Sequence, residues 1–209
     1  MSEIIVLTDS VTESNCYCLE ENGKVLLIDP NDGEKIKHFI KTRHWIIEYV
    51  LLTHEHCDHI QGLNELRKSF DFTVIATQKC SENLGDITKN MSRIMGAYLY
   101  FKYGEMREYP YGRFQCEPAD IAFEETYEFL WQGHNFVIRK TPGHTEGSCC
   151  IEMDQAYMFS GDYFIEKEED ITGFPGGSKR DYETKTKPWF STWKAGLCIY
   201  PGHGGRVIL

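Results

Sequence analysis

The sequence predicts an α+β fold in which two β-sheets pack face to face and helices cover their outer surfaces. Two observations lead to this prediction. Short apolar runs recur along the chain, and some are joined by tight turns while others are separated by helix-like segments. A chain of 209 residues with a hydrophobic share of 41% can bury the core of such a fold, so we expect a single domain spanning residues 1–209.

The first part of the chain predicts a small sheet, a helix and one further strand. Four strands are expected, at Glu3–Thr8, Asn15–Glu20, Lys24–Asp29 and Ile46–Leu52. The dipeptide Asn22-Gly23 predicts a tight hairpin turn, because both residues tolerate a positive φ. The spacing of apolar residues predicts an amphipathic helix over Asp32–Arg43. The fourth strand is apolar and β-branched, which indicates that it is buried.

The rest of the chain alternates in the same way. Helices are expected over Gln61–Phe70 and, despite Pro188, over Asp181–Ala195. Six more strands are expected, at Phe72–Ala76, Glu128–Trp131, Asn135–Thr141, Ser148–Met153, Ala156–Ser160 and Leu197–Tyr200. Hairpins and helical connections are therefore mixed, which is typical of two sheets with helices outside them.

Residues 85–118 interrupt this alternation with an irregular segment rich in tyrosine and phenylalanine. It could be an ordinary packing element, or it could be a cap over a functional cleft. A long irregular insertion in a compact domain is usually functional or disordered, which favours the cap. Under that interpretation Tyr98, Tyr103 and Tyr111 are candidate substrate-binding residues, because phenols offer an apolar ring and a hydrogen-bonding group.

The composition of the chain disfavours several classes of protein. The formal net charge of −10 disfavours a nucleic-acid-binding surface, which needs clustered Lys and Arg. The first residues contain no basic region followed by an apolar stretch, and no window of about 18 apolar residues exists. We therefore expect a cytoplasmic protein with no membrane partner.

The eight cysteines include no CxxC pair, which favours buried reduced thiols over a disulfide framework or a thiolate zinc site.

The segment Thr53–His59 is the strongest functional signal. It reads Thr-His-Glu-His-Cys-Asp-His and directly follows a predicted buried strand, so it lies on a loop at a sheet edge. Imidazole nitrogens and carboxylate oxygens are ligands that zinc and iron accept. His54 and His56 are two residues apart, so they project the same way from an extended loop. Four such groups beside an apolar strand would be costly to desolvate unless they bind metal.

Three further positions have the same character. His144, Asp162 and His203 each follow a predicted strand, and each has a glycine immediately before it. Glycine permits a close approach of backbone to a bound group. The remaining histidines, His38, His44 and His134, are in or beside a helix or at a hairpin turn, where a structural or solvated role is the simpler interpretation.

These motifs, HxHxDH at 54–59, TPGHT at 141–145, SGD at 160–162 and PGHG at 201–204, occur in this order. The arrangement resembles the metallo-β-lactamase fold superfamily from about Asn15 to Gly204. The resemblance implies a four-layer αββα sandwich with the metal site at one edge of the two sheets. It implies a first metal held by His54, His56 and His144, a second held by Asp58, His59 and His203, and Asp162 as the bridge.

The resemblance also implies a metal-dependent hydrolase. The segment Gly173–Ser178, followed by a helix, is most similar to the hydroxyacylglutathione hydrolase (glyoxalase II)-like branch. Two zinc ions per chain are expected, with iron or manganese as alternatives. Hydroxide formed from a water shared by the metals would attack a small ester, thioester or lactone. Asp58 would bind metal and orient that nucleophile.

The sequence is also compatible with two other activities. A mononuclear iron dioxygenase acting on a persulfide can carry the same HxHxDH string, and metal content would separate it from a two-zinc hydrolase. A nucleic-acid-processing metallohydrolase is disfavoured by the net charge of −10. We expect a small-molecule substrate, and an anionic one remains open because bound metal would offset negative charge locally.

Overall fold

Two six-stranded sheets form the centre of the computed structural model, which describes residues 4–165 and 171–209. The first sheet has the order β1-β2-β3-β4-β5-β6, with strands Ile4–Thr8, Asn15–Glu21, Lys24–Ile28, Ile46–Leu51, Thr73–Thr77 and Ile121–Phe123. The second has the order β12-β11-β10-β9-β8-β7, and its strands β7 to β12 are Thr126–Trp131, His134–Lys140, Cys149–Met153, Tyr157–Gly161, Cys198–Pro201 and Val207–Ile208.

Both sheets are mixed, and strand direction decides where the loops emerge. In the first sheet β1 to β3 are antiparallel neighbours, whereas β3 to β6 are parallel. In the second sheet β7 to β10 alternate in direction and β10 is parallel to β11. Strands β8, β10 and β11 therefore point the same way, so their carboxyl ends share one edge.

The main core lies between the two sheets. Along β2, Tyr17 and Leu19 face the second sheet, where they join Phe136, Ile151 and other buried residues. The alternate residues of β2 face a second core beneath the helices. Because successive side chains of a strand point to opposite faces, this single strand separates two apolar layers.

Helices cover the outer face of each sheet. The seven helices of the described residues are α1 (Gly33–Arg43), α2 (Cys57–Ile60), α3 (Leu63–Arg67), α4 (Gln78–Asn83), α5 (Met95–Tyr103), α6 (Lys179–Asp181) and α7 (Lys187–Phe190). Ile36 and Leu66 of α1 and α3 pack on the first sheet, and Trp189 and Phe190 of α7 pack on the second. The predicted αββα sandwich is therefore confirmed. None of these helices has the length and apolar character needed to cross a membrane.

Helix α1 shows how local sequence sets an element boundary. The Asp32 side chain accepts a hydrogen bond from the backbone N–H of Lys35 at 3.0 Å, which satisfies one free donor of the first turn. Gly33 lies against α3, since a Cβ there would be 2.7 Å from Glu65 Cβ and 2.9 Å from Gly62 O. Glycine at both 33 and 62 therefore allows the two helices to pack directly.

Several predicted elements were wrong in extent. The helix expected over Gln61–Phe70 is the short α3, preceded by α2, and α4, β6 and β12 were not predicted. The helix expected over Asp181–Ala195 is broken into α6, a π-helical turn over Tyr182–Thr186, and α7. Pro188 lies in the first turn of α7, where its missing N–H is tolerated, whereas it would disrupt a longer helix.

Residues 85–118 contain α5, with turns on both sides of it. Met95 and Leu99 of α5 are buried with Met91 and Cys57 in a separate apolar cluster. The backbone N–H of Cys57 also donates to Asn90 O at 2.7 Å. The segment is thus anchored directly on the loop that carries the histidine motif.

Candidate metal centre

Four strand ends bring the predicted site residues together. The loop after β4 carries His54 to His59, and the loops after β8, β10 and β11 carry His144, Asp162 and His203. The sheets join here, because the backbone N–H of Cys149 donates to Thr53 O at 2.8 Å. Residues from four distant parts of the sequence therefore meet at one edge of the sandwich.

One group of side chains that could hold a metal ion comprises His54, His56, His144 and Asp162, all buried. His56 Nδ1 lies 3.0 Å from His144 Nε2, and His144 Nε2 lies 3.4 Å from Asp162 Oδ2. His54 Nε2 is 4.0 Å from the same oxygen. Three imidazole nitrogens and one carboxylate oxygen thus face a common point.

A second such group comprises Asp58, His59 and His203. His203 Nε2 lies 3.2 Å from Asp58 Oδ2, and His59 Nε2 lies 3.8 Å from it. Asp162 adjoins this group as well, with Oδ1 at 3.2 Å from His59 Nε2 and Oδ2 at 3.7 Å from His203 Nε2. The Asp162 carboxylate therefore lies between the two groups.

The outer nitrogens of four histidines are held by acceptors outside the cluster. The contacts are His54 Nδ1 with Thr53 Oγ1 at 3.0 Å, His56 Nε2 with Pro175 O at 3.2 Å, His144 Nδ1 with Ile171 O at 2.6 Å, and His59 Nδ1 with Asp29 Oδ2 at 3.0 Å. Carbonyl and carboxylate oxygens only accept, so the nitrogens facing them donate. In a neutral ring this leaves the inner nitrogen with a free lone pair, as a metal ligand requires.

Some inner atoms have no hydrogen-bond partner among the described residues. They are His54 Nε2, His59 Nε2 and Asp162 Oδ1, and all three are shielded from solvent. A buried polar atom left unpaired is costly, and native proteins satisfy almost all of them. The residues present therefore fit a bound cation at this point.

The shifts in pKa of the cluster residues indicate a site that favours a bound positive charge. Burial, and then the neighbouring His144, lower the pKa of His56 to about 3, so this ring stays neutral. Burial alone would raise the pKa of Asp58, but His59 and His203 hold it at about 2. Burial would lower the pKa of His59, yet Asp162 and Asp58 raise it well above its usual value. The two carboxylates thus favour a positive charge between the two groups.

Asp29, at the end of β3, is a functional residue that the sequence did not indicate. It is buried, and besides His59 it accepts hydrogen bonds from the N–H of Thr53 at 2.7 Å and from Thr53 Oγ1 at 2.5 Å. One carboxylate therefore orients a ring of the second group and fixes the residue preceding His54.

Glu55 links the two halves of the first group. Its side chain is fully buried. Its carboxylate accepts from Asn83 Nδ2 at 2.8 Å and from Thr145 Oγ1 at 2.8 Å. Because Thr145 follows His144 directly, Glu55 ties the loop after β4 to the loop after β8. Burial raises the pKa of Glu55, and these hydrogen bonds oppose that rise.

The cluster opens to the surface through a narrow cleft that encloses only about 10 Å³. Ligand side chains His144, Asp162 and His203 line its floor, and its walls are Tyr98, Lys102, Ile165, Ile171 and Phe174. The Phe174 ring lies 5.3 Å from that of His144 and 5.6 Å from that of Tyr98, centroid to centroid. A reacting group reaching the cluster would therefore pass between aromatic walls.

The three tyrosines predicted to contact substrate occupy different places. Tyr98 lines the cleft. Tyr103 stacks under Arg107, whose guanidinium carbon is 3.4 Å from the ring centroid. Tyr111 lines a separate surface cavity with Gln61 and other residues of the α1 and α3 side.

Two residues near the motifs have structural roles. Cys57 lies within the HxHxDH segment, but its side chain packs in the apolar cluster under α5. His134, which the sequence placed at a solvated turn, begins β8 and lies 2.6 Å from Asp154 through Nδ1.

Comparison with known proteins gives one consistent result. A family model described as the metallo-beta-lactamase superfamily matches residues 10–203. The probable metallo-hydrolase YqgX of Bacillus subtilis (strain 168) is 27% identical over 194 residues, covering 92% of this chain and 85% of that protein.

Two solved structures share the fold. The B3 metallo-beta-lactamase BLEG-1 has a TM-score of 0.77 and 23% identity, covering 100% of this chain and 94% of that one. The protein TTHA1623, solved in a di-iron-bound form, has a TM-score of 0.73 and 22% identity, covering 98% and 94%.

Proposed function

The chain belongs to the metallo-β-lactamase superfamily, and from this premise we propose that it is a hydrolase of a small ester, thioester or lactone that uses two divalent metal ions. The first ion would be held by His54, His56 and His144, and the second by Asp58, His59 and His203. Asp162, whose carboxylate lies between the two groups, would contribute to both sites. Zinc is the ion we expect, because the donor set is imidazole and carboxylate; iron is the main alternative, since TTHA1623 was solved with two irons.

The observation that carries this proposal is the direction of the imidazole nitrogens. The outer nitrogens of His56 and His144 face backbone carbonyls, while their inner nitrogens lie 3.0 Å apart and face each other. Two neutral lone pairs at that distance repel unless a cation lies near both. Hydrogen bonding alone therefore gives no reason for this arrangement, whereas metal binding does.

The chemistry can be divided between the metal and the chain. A divalent metal supplies a water of lowered pKa and polarises the carbonyl under attack. The Asp58 carboxylate, held ionised by His59 and His203, accepts a hydrogen bond from the attacking water and so orients it. Water adds to the carbonyl carbon and the bond to the alcohol oxygen or thiol sulfur breaks. An acid and an alcohol or thiol leave, or one hydroxy acid in the case of a lactone.

One feature supports a position near the glyoxalase II-like branch. The Gly173–Ser178 segment, on which that resemblance rests, lies over the first group of candidate ligands, with Phe174 beside His144 and Pro175 O bound to His56.

We propose further that the chain is a single domain in which residues 85–118 form a cap, because Tyr98 and Lys102 of this segment line the cleft. A small molecule entering the cleft would contact the cap and the metals together.

The decisive experiment is metal analysis of protein purified without added metal, together with an Asp58→Ala variant. We expect about two zinc ions per chain in the natural protein and a clear loss in the variant. Asp154→Ala is the matched control, because Asp154 is bound to His134 on the far hairpin and should leave the metal content unchanged. A panel of esters, thioesters and lactones would then identify the class of substrate.

Other results would redirect or end the proposal. One iron per chain, with oxygen consumed in the presence of a persulfide, would replace the hydrolase by the dioxygenase on the same fold. Failure of both proteins to retain any metal would contradict the metal centre itself.

A further inference from the structure

Lys102 is the only lysine or arginine among the described residues that line the cleft. The nearby Arg107 pairs with Glu13 and Glu105 at 3.3 and 3.4 Å. Lys102 forms no ion pair within residues 4–165 and 171–209; its Nζ lies 5.6 Å from the ring centroid of Tyr98 and 5.7 Å from that of Tyr103. The Lys102 ammonium thus lines the same cleft as His144, Asp162 and His203 without forming an ion pair with a described carboxylate.

The helix places this charge on a defined face. Tyr98 and Lys102 are four residues apart on α5, so they lie one above the other toward the cleft. Met95 and Leu99 have the same spacing on the buried face and hold the helix against Cys57. The lysine therefore extends from an anchored helix, which limits the range of positions its ammonium can reach.

The opposite wall of the cleft is apolar. Phe174, Ile165 and Ile171 line it, and Phe174 contacts the ring of Tyr98 on α5. The enclosed space is only about 10 Å³, so only a short reacting group of a substrate can enter it, and the rest of the substrate stays at the opening. At this opening the ligand side chains, the apolar wall and one cation offer three separate points of contact.

We propose that the substrate carries a carboxylate, and that Lys102 binds this carboxylate while the scissile carbonyl faces the two groups of candidate metal ligands and a short apolar part contacts Phe174. The inference rests on the proposed hydrolase function and adds the chemical class of its substrate. It also explains how a chain of net charge −10 can accept an anion, because the cation is local to the cleft.

Hydrolysis of a matched pair of thioesters tests the specificity. The pair is S-acetyl-3-mercaptopropionate and S-acetyl-3-mercaptopropionamide, which differ only in carboxylate against carboxamide, and the thiol released is followed with a disulfide reagent. We expect kcat/KM for the acid to exceed that for the amide by about 10-fold or more in the zinc-loaded protein. Lys102→Gln should reduce this ratio to about one. Lys102→Arg and Arg93→Gln, the latter an exposed cation of the same segment outside the cleft lining, should retain it.

A binding measurement gives a readout that does not depend on turnover. N-acetyl-β-alanine and its amide are inert analogues of the two thioesters, and their dissociation constants can be measured by calorimetry. A preference for the acid in the natural protein and in Arg93→Gln that disappears in Lys102→Gln would support the proposal. A preference unchanged by Lys102→Gln, or no preference in the natural protein, would overturn it.

The two measurements also separate this inference from the proposed function. Hydrolysis of both thioesters at equal rates would leave the hydrolase intact and refute the role of Lys102. Binding of the acid through Lys102, with no hydrolysis of these thioesters or of any member of the ester, thioester and lactone panel, would refute the hydrolase, while carboxylate recognition would stand.

Discussion

Asp29 shows how a residue outside both metal groups can control a residue within them. Its carboxylate receives a hydrogen bond from His59 Nδ1 at 3.0 Å, so the lone pair of that ring in its metal-binding form is on Nε2, which faces Asp58 and Asp162. The same carboxylate fixes Thr53 through two hydrogen bonds. A carboxylate that accepts a hydrogen bond from the second nitrogen of a metal-binding imidazole orients the ring, and this orientation commonly affects the affinity for the metal.

We therefore predict that Asp29→Asn lowers zinc affinity by about 10-fold to 100-fold, because the amide can no longer accept from both His59 and Thr53. Competition with a chromophoric chelator measures this change. The control is Asp9→Asn, another buried aspartate that accepts from Thr12 N at 2.7 Å and makes no contact with a histidine. Equal affinities in the natural protein and Asp29→Asn would show that Asp29 has no orienting role.

The residues that could be predicted from sequence differ physically from those that could not. His54 and Asp162 are ligand types that follow strands, a local pattern visible in a few residues. Asp29 and Glu55 act through partners that are 30 and 90 positions away, His59 and Thr145, so no local pattern marks them. Their roles depend on the tertiary arrangement of loops.

Strand ends are the elements that position this site, and their glycines keep the loops close. Gly202 follows β11, next to the parallel strand β10, and its N–H donates to Gly161 O at 2.7 Å. A Cβ at position 202 would overlap Asp162 Oδ1 and lie 2.7 Å from His59 Cε1. The glycine thus leaves the space in which a carboxylate and an imidazole meet.

Gly202→Ala should displace the Asp162 carboxylate and reduce the metal bound per chain below that of the natural protein, since the added methyl group occupies its place. Metal analysis measures this, and circular dichroism checks that the fold is retained. Gly205→Ala in the same loop is the matched control, because a Cβ there meets nothing within 4 Å. Full zinc content in Gly202→Ala would mean that the loop relaxes around the methyl group.

The long elements were easier to predict than the short ones. α1 and the strands β1 to β5 have clear apolar periodicity, and the structure places them within a few residues of the predicted bounds. β6 and β12 contain three and two residues, too few for a pattern to appear. The region of α6 and α7 is helical in composition, but Pro188 and packing against the second sheet divide it.

Across the whole molecule, several buried histidines make the metal-free protein sensitive to acid. Burial lowers the pKa values of His54, His56 and His144, while the unfolded chain protonates them near pH 6.5. Below that pH the unfolded state binds more protons, so stability falls as the pH falls. His59 acts oppositely, because its raised pKa contributes stability below about pH 6.5 that is lost as the pH rises through the folded value.

The three lowered histidine pKa values outweigh the raised values of His59 and Glu55, so the urea midpoint of the chelator-treated protein should be lower at pH 5 than at pH 7. Equilibrium unfolding at the two pH values tests this. Addition of zinc at pH 7 should raise the midpoint, since the ion binds the folded state. A midpoint that stays constant or rises on acidification would contradict the pKa directions given for the cluster.

The segment of residues 171–177 also affects how such a protein could change during evolution. Ile171 and Pro175 hold the rings of His144 and His56, and Phe174 between them forms a wall of the cleft. A lineage that altered its substrate range through this segment would at the same time alter how firmly it retains its metal. The facing wall lies on α5, whose backbone carbonyls are engaged within the helix. Divergence in substrate preference is therefore easier through α5, where new side chains can be tried while the histidine rings stay in place.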